Sequence, residues 1–191
     1  MKRICALLLI GVVILVTGCS GEIPNKMDIE VSDFSFTNQD GETVTLESLE
    51  GKVWIADFIF TNCTTVCMPM TFNMSKLQEM VKEEGLENVE FVSFSVDPNY
   101  DSPEVLKAYA EQFEVDFSNW NFLTGYSQKE IINFAKESFI TLVIPAPEGD
   151  DQVSHGTAFS LVDQTGKVVQ QYSGSAEVPY ETIIEHIKIL Q

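Results

Sequence analysis

The chain has 191 residues, of which 45% are hydrophobic and 21% are charged, and its formal net charge is −18 at pH 7. That length and apolar content predict one globular domain with a hydrophobic core, and they exclude a wholly disordered chain. Such an acidic protein repels polyanions, so we exclude nucleic acid as a partner and disfavour anionic substrates. The acidity itself indicates solubility or docking to a basic partner.

The amino-terminal segment has the pattern of a bacterial export signal. Two basic residues precede an apolar stretch over residues 4–16, which is too short to cross a bilayer. The stretch ends in Val16-Thr17-Gly18-Cys19, which resembles the lipobox of bacterial lipoproteins, where cleavage precedes a cysteine that receives lipid. We predict a signal peptide over residues 1–18 and a lipid-carrying Cys19 with a tether over residues 19–28. This anchor would hold the domain on the outer face of the cytoplasmic membrane. The alternatives are an ordinary secretory signal and an uncleaved anchor.

Residues 29–191 carry the strand and helix patterns of the predicted domain. Residues 29–36 alternate between apolar and polar, and Asp40-Gly41 predicts a hairpin turn before a second strand. Residues 53–60 are apolar except for Asp57, which is typical of a central strand covered by helices on both faces. Further strands are predicted over residues 89–96, 120–123, 157–162 and 168–172.

Four predicted helices lie between and after these strands. The first carries Met70 and Met74 at helical spacing and ends at Gly85, and we interpret the two methionines as core residues rather than copper ligands. Ser102 is the expected N-cap of the second helix, and Ser127 with Glu130 predicts a capping box for the third. The last starts at Pro179. We expect His186 on its polar side, in a structural or solvent-exposed role. This order predicts an α/β fold with a mixed sheet flanked by helices.

Three side chains carry the candidate chemistry. Cys63 and Cys67 follow the central strand, and His155 precedes the last predicted hairpin. Thiolates favour Cu(I) and imidazole also suits copper, so two sulfurs and one nitrogen form a copper donor set. The two cysteines converge if the first helical turn includes both of them. The same two sulfurs would also form a disulfide, so metal carriage and thiol–disulfide exchange both stay open.

The order of elements resembles the thioredoxin fold with an added amino-terminal β-hairpin. Asp57 stands six positions before Cys63, as the buried aspartate of thioredoxin stands before its first redox cysteine, where it assists proton movement. The alternative for Asp57 is a structural carboxylate that is hydrogen-bonded to a neighbour. The chain departs from thioredoxin in its CxxxC spacing and in having His155-Gly156 where thioredoxin has a cis-proline.

Three motifs in the right order resemble the Sco (SenC) family of copper proteins. They are the strand with Cys63-Thr64-Thr65-Val66-Cys67, the Val-Asp-Pro-Asn-Tyr-Asp-Ser-Pro run over residues 96–103, and the Ser-His-Gly-Thr-Ala-Phe run over residues 154–159. Where the family usually has proline after each cysteine, this chain has Thr64 and Met68.

The resemblance implies a membrane-anchored metallochaperone. It would hold one copper ion, Cu(I) or Cu(II), through Cys63, Cys67 and His155. It would support assembly of the dinuclear copper (CuA) centre of cytochrome c oxidase. The implied partners are the copper-centre subunit of the oxidase, the membrane, and a thiol reductant that keeps the cysteines ready for copper.

Other functions use the same residues. In a thiol–disulfide reductase acting on the oxidase cysteines, Cys63 and Cys67 are the redox pair and Asp57 is a proton acceptor. A redox or copper sensor differs only in its partner. A zinc site would need a fourth ligand, for which Asp97 and Asp101 are candidates, although we interpret both as shaping a turn. A peroxidase is disfavoured, because no arginine follows the predicted signal.

Overall fold

The computed structural model of this chain describes residues 21–191, so the predicted signal and Cys19 lie outside the described residues. The strands are β1 (Ile29–Glu30), β2 (Ser35–Thr37), β3 (Thr43–Thr45), β4 (Val53–Ile59), β5 (Val89–Ser95), β6 (Trp120–Leu123), β7 (Val143–Ile144), β8 (Ser154–His155), β9 (Ala158–Val162) and β10 (Lys167–Ser173). The helices are α1 (Cys67–Glu83), α2 (Pro103–Ala110), α3 (Gln128–Phe139) and α4 (Tyr180–Leu190).

A six-stranded mixed sheet in the order β1-β10-β9-β4-β5-β6 forms the centre of the fold. The strands β4, β5 and β6 are parallel to one another. On the other side of β4, each strand runs antiparallel to its neighbour: β9 to β4, β10 to β9 and β1 to β10. Every residue of β4 is buried, as expected for a strand covered on both faces. The sheet and its flanking helices confirm the predicted fold class.

The predicted amino-terminal hairpin is present in a shorter form. β2 and β3 pair across a turn in which Gly41 has a φ of +78° and the Asn38 side chain accepts hydrogen bonds from two backbone N–H groups. Ile29 and Glu30, which we expected in the same strand, pair instead with β10 at the edge of the main sheet. The predicted strand breaks because the Ser32 N–H donates to the Ser138 hydroxyl of α3 at 3.0 Å rather than to a neighbouring strand.

The helix boundaries follow the predicted capping signals. The Ser102 hydroxyl accepts a hydrogen bond from the Val105 N–H, with proline at the first position of α2. Ser127 and Glu130 form both bonds of a capping box at the start of α3. Met70 and Met74 are fully buried on α1, which confirms them as core residues.

His186 does not lie on a polar face of the last helix. It is buried on α4, and its Nδ1 lies 2.6 Å from the hydroxyl oxygen of Tyr172 on β10. The expectation of a polar side is therefore wrong, whereas the structural role is supported. The reason is that a tyrosine hydroxyl satisfies the imidazole, which allows a polar ring to be buried among the apolar residues of α4.

Residues 21–28 are packed on the domain rather than forming a free tether. Ile23 is only 4% exposed, the Met27 N–H donates to the Val169 carbonyl at 2.8 Å, and the Gln170 amide donates to the Pro24 carbonyl at 3.0 Å. Most of this segment therefore belongs to the domain, because Ile23 is buried in the hydrophobic core and two hydrogen bonds join the segment to β10. Within residues 21–191, no helix combines the length and the apolar character needed to cross a membrane.

The packing of Ile23 predicts a measurable loss of stability when its side chain is truncated. In the full chain, Ile23→Ala should lower the free energy of unfolding by about 2 kcal/mol or more, because a buried isoleucine loses most of its contacts. Glu22→Ala, at an exposed neighbouring position, is the control and should change it by less than about 0.5 kcal/mol. Denaturant unfolding measures both, and a wild-type free energy in Ile23→Ala would mean that the segment is a loose tether.

Candidate metal centre

The two cysteines lie at the carboxyl end of β4, where the chain turns into α1. α1 begins only at Cys67, so the first turn does not include Cys63, contrary to the helical spacing that we expected. The N-cap side chain, Val66, accepts no hydrogen bond. The Cys67 N–H instead donates to Cys63 Sγ at 3.4 Å. This sulfur takes the place of a capping oxygen, and the contact brings the two cysteines together.

His155 reaches the cysteines from the other end of the chain. It lies on the short strand β8, opposite Val143 of β7, a strand that the sequence analysis did not predict. Its Nε2 is 3.4 Å from Cys67 Sγ, and its ring meets that of Phe60 edge to face at 5.8 Å. A two-residue strand has no detectable sequence pattern, which is why β8 was missed.

The His155 ring is oriented so that its Nε2 can bind a metal ion. Its Nδ1 lies 2.9 Å from the carbonyl oxygen of Gly156, and because a carbonyl only accepts hydrogen bonds, Nδ1 must be the donor. When the ring is neutral, Nε2 therefore carries the lone pair and faces the sulfur. Metal-binding histidines are commonly fixed by such a bond from the other nitrogen.

The separation of the donors is consistent with one shared ion. A sulfur bonded at roughly 2.3 Å and a nitrogen bonded at roughly 2.0 Å to one tetrahedral ion lie about 3.5 Å apart. The observed distance of 3.4 Å between Cys67 Sγ and His155 Nε2 is close to this value. Within the described residues 21–191, however, no three His, Cys, Asp or Glu side chains already form a complete metal-binding group. The trio is held by hydrogen bonds, and it would have to adjust around an ion.

The two thiols differ strongly in acidity. Burial opposes ionisation of Cys63, but hydrogen bonds with the side chains of His155 and Cys67 and with the backbone of Thr65 and Cys67 lower its pKa to about 5. Burial raises the pKa of Cys67, and the neighbouring charges of Cys63 and Asp57 raise it further. Both cysteines are free thiols in the structure. At neutral pH the site therefore holds one thiolate and one thiol.

Asp57 lies beneath the site on β4. It is fully buried, and neither of its carboxylate oxygens has a hydrogen-bond partner. Burial raises the pKa of Asp57 to about 6, although the neighbouring side chains of Ser93 and His155 act in the opposite direction. A carboxyl group with a pKa near neutrality is suited to exchanging protons.

Asp97 and Asp101 shape the loop beside the cysteines. The Asp101 carboxylate is buried and accepts hydrogen bonds from the Thr61 hydroxyl at 2.5 Å, the Thr61 N–H at 3.2 Å and the Ser95 hydroxyl at 2.5 Å. The Asp97 carbonyl accepts bonds from the N–H groups of Tyr100 and Asp101. These contacts support the turn-shaping interpretation. They hold the segment that leads into Cys63.

The residues that join the two loops were not predicted from the sequence. The Gln152 amide donates to the Asn62 carbonyl at 3.0 Å and accepts from the Thr64 N–H at 3.3 Å, while the Asn62 amide donates to Asp151 at 2.6 Å. Asp151 and Gln152 shortly precede His155, so these bonds fix the histidine segment to the cysteine loop. The polar run before His155 was visible in the sequence, but nothing in it showed which distant residues it would contact.

Fold and site together define a thioredoxin-like protein whose paired cysteines meet a histidine from a second loop. The SCO1/SenC family profile matches residues 24–190. The chain belongs to this family, whose members act in cytochrome c oxidase assembly.

Solved structures of relatives agree with this assignment. A SCO1/SenC family lipoprotein from Bacillus anthracis is 54% identical with a TM-score of 0.85, over 88% of this chain and 99% of that one. BsSco, described as a member of the Sco family of cytochrome c oxidase assembly proteins with a disulfide switch, is 49% identical with a TM-score of 0.82, over 89% of this chain and 98% of that one. Bradyrhizobium japonicum ScoI, solved with copper bound, is 27% identical with a TM-score of 0.70, over 85% of this chain and 99% of that one.

The lowered pKa of Cys63 predicts how its alkylation depends on pH. In the reduced, copper-free protein, the rate of Cys63 modification by iodoacetamide should be constant between pH 7 and 9, because the thiolate is already formed above its pKa of about 5. Cys67 should remain unmodified. Mass spectrometry of the alkylated peptides measures both rates.

The same protein in guanidinium is the control for this measurement. There both cysteines should react with the ordinary pH dependence, with half-maximal rates near a pKa of about 8.5. A rate at Cys63 that still climbs steeply above pH 7.5 in the folded protein would contradict the assigned acidity.

Proposed function

We propose that the protein is a copper metallochaperone whose cargo is one copper ion, held by Cys63, Cys67 and His155. The observation that carries this proposal is the 3.4 Å approach of the imidazole Nε2 to Cys67 Sγ across two loops. A redox pair of cysteines needs no third donor atom, whereas a soft ion bound by two sulfurs gains a third ligand from this nitrogen. The copper-bound structure of a family member supports the choice of metal.

Because the two thiols differ in acidity, the two cysteines would bind copper one after the other. Cys63 is a thiolate at neutral pH and is the first donor available to an arriving ion. Cys67 must lose its proton to bind, because a metal takes the thiolate rather than the thiol. Release would reverse these steps, with ligands of the client replacing those of the carrier one at a time. A disulfide between the two cysteines offers no thiolate, so loading requires a thiol reductant first.

The proposed client is the copper-centre subunit of cytochrome c oxidase, at its dinuclear CuA centre. Support comes from BsSco, a relative described as belonging to a family of oxidase assembly proteins. We also propose that a lipid on Cys19, after removal of residues 1–18, anchors the protein to the outer face of the cytoplasmic membrane. The description of the Bacillus anthracis relative as a lipoprotein supports this anchor.

A second candidate function is reduction of the client's own disulfide, and the unequal thiols favour it. The Cys63 thiolate would attack one sulfur of the target disulfide, forming a mixed disulfide and releasing the other target sulfur as a thiolate. Cys67, after losing its proton to Asp57, would then attack Cys63 Sγ. The products are a reduced target dithiol and an oxidised Cys63–Cys67 disulfide. A sensor of redox state or copper would use the same chemistry with a different partner.

The copper proposal predicts a strong and selective effect of removing one imidazole. His155→Ala should weaken Cu(I) binding to the reduced protein at least roughly tenfold, since one of three ligands is lost. His186→Ala is the matched control, because it removes the other imidazole of the described chain, which bonds to Tyr172. It should lower thermal stability but leave copper affinity unchanged. Competition with a chromophoric Cu(I) chelator measures the affinities.

The same variants separate the two candidate functions. Equal copper affinity in His155→Ala and wild-type protein would contradict the three-ligand site. If copper-free protein then reduces the client disulfide at a rate that Asp57→Asn lowers, the reductase function is supported instead. Stopped-flow measurement of the mixed disulfide shows whether the substitution slows its formation by Cys63 or its resolution by Cys67.

A further inference from the structure

Six large apolar side chains are exposed on segments that carry or adjoin the candidate metal centre. Within residues 21–191 they range from 51% to 67% exposed, and they are Met68, Phe72, Tyr100, Ile140, Leu142 and Ile144. Single exposed apolar residues are normal on a protein surface, but a group around one site marks an interaction surface. We call these six side chains the docking rim.

The docking rim lies on three segments that adjoin the site. Met68 and Phe72 lie one turn apart at the start of α1, directly after Cys67. Tyr100 lies on the loop whose next residue, Asp101, holds Thr61 of the cysteine loop. The other members lie on or before β7, where Val143 pairs with His155 and the Leu142 carbonyl accepts the Gly156 N–H at 3.2 Å.

The β7 side of the docking rim is not explained by folding. Val143 is buried, whereas Leu142 and Ile144 on either side of it are 65% and 51% exposed. Ile140 ends α3 with a φ of +50° and is 67% exposed. A β-branched residue is strained in this conformation, where glycine or asparagine is usual. Folding alone would favour polar residues at these positions.

The charges next to the docking rim favour a basic partner. The segment over residues 145–152 links β7 to β8 and carries Glu148, Asp150 and Asp151 without any basic residue. A second copy of this acidic chain would be repelled there, and so would an anionic lipid surface. A protein domain with an apolar centre and basic residues at its edge is complementary to this surface.

The amino-terminal end of the described chain lies at the opposite end of the molecule. Gly21 packs against Ile189 of α4, and nearby Lys188 bonds to Glu84 at the carboxyl end of α1. The metal centre lies at the other end of α1, and a helix of 17 residues is about 25 Å long. An anchor attached just before Gly21 would therefore direct the docking rim away from the membrane.

We propose that the docking rim is the surface on which the copper-binding domain of the oxidase subunit docks during transfer. This inference rests on the proposed function. The partner is recognised by apolar residues around its own copper ligands and by basic residues at the edge of that contact. Its ligands then face Cys63, Cys67 and His155 while the apolar contact excludes water.

The test separates docking from copper binding. In the copper-loaded full chain in detergent, the Phe72→Ser/Leu142→Ser double variant changes two sides of the docking rim without touching a residue that can bind copper. Its copper affinity should stay within about twofold of wild type, while the rate of transfer to the copper-free, reduced soluble domain of the oxidase subunit should fall at least roughly tenfold. Leu190→Ser, at the opposite end of the molecule, is the control and should transfer copper at the wild-type rate.

The other outcomes of the transfer experiment would contradict either the docking proposal or the proposed function. An unchanged transfer rate, or a copper affinity that falls as far as the rate, overturns the docking proposal. It is also overturned if the two substitutions instead abolish self-association of the protein, measured by sedimentation. The same holds if they abolish binding of the protein to vesicles of phosphatidylethanolamine and phosphatidylglycerol when they are introduced into the Cys19→Ser variant. If wild-type protein transfers no copper, the proposed function fails separately. Calorimetric binding of the same oxidase domain then decides, with equal affinities in wild type and double variant overturning the docking proposal.

Discussion

The approach of His155 Nε2 to Cys67 Sγ is the contact on which the account of this protein depends. It joins two chain segments that are 88 positions apart, at a distance of 3.4 Å. Regular secondary structure fixes both segments, because Cys67 begins α1 just after the buried strand β4 and the His155 strand β8 pairs with β7. Gln152 then bonds the histidine segment to the cysteine loop. The contact between Cys67 and His155 is therefore formed before any ion arrives, which lowers the cost of ordering these two ligands, while Cys63 still has to adjust around the ion.

The unequal acidity of the two cysteines gives this site two chemical uses. A pre-formed thiolate at Cys63 serves equally as the first copper ligand and as the attacking group in disulfide exchange. The buried thiol of Cys67, near the unpaired carboxyl group of Asp57, is the second ligand in one case and the resolving thiol in the other. The two uses therefore differ in what His155 contributes: a metal takes its nitrogen as a ligand, whereas in disulfide exchange the imidazole only helps to lower the pKa of Cys63. A carrier with such a site also requires its cysteines to be reduced before it can load.

The sequence predicted the structure correctly where interactions between residues close in the chain determine it. The unbroken apolar run of β4 and the capping residues Ser102 and Ser127 each act within a few residues, so their outcomes were predictable. The errors arose where contacts between distant residues decided the structure. Burial of Ile23 in the core attaches a mostly polar segment to the domain, and Tyr172 allows His186 to be buried. The role of Gln152 was missed for the same reason, since its partner Asn62 is 90 positions away. The three candidate ligands were found because sulfur and imidazole are chemically distinctive, not because spacing fixed their geometry.

The most direct test of this account is X-ray absorption spectroscopy at the copper edge on the reduced protein loaded with one equivalent of Cu(I). Coordination by Cys63, Cys67 and His155 predicts two sulfur neighbours at roughly 2.3 Å and one nitrogen at roughly 2.0 Å, with the outer-shell scattering of an imidazole ring. A shell of oxygen and nitrogen alone, or two sulfurs without imidazole scattering, would contradict it.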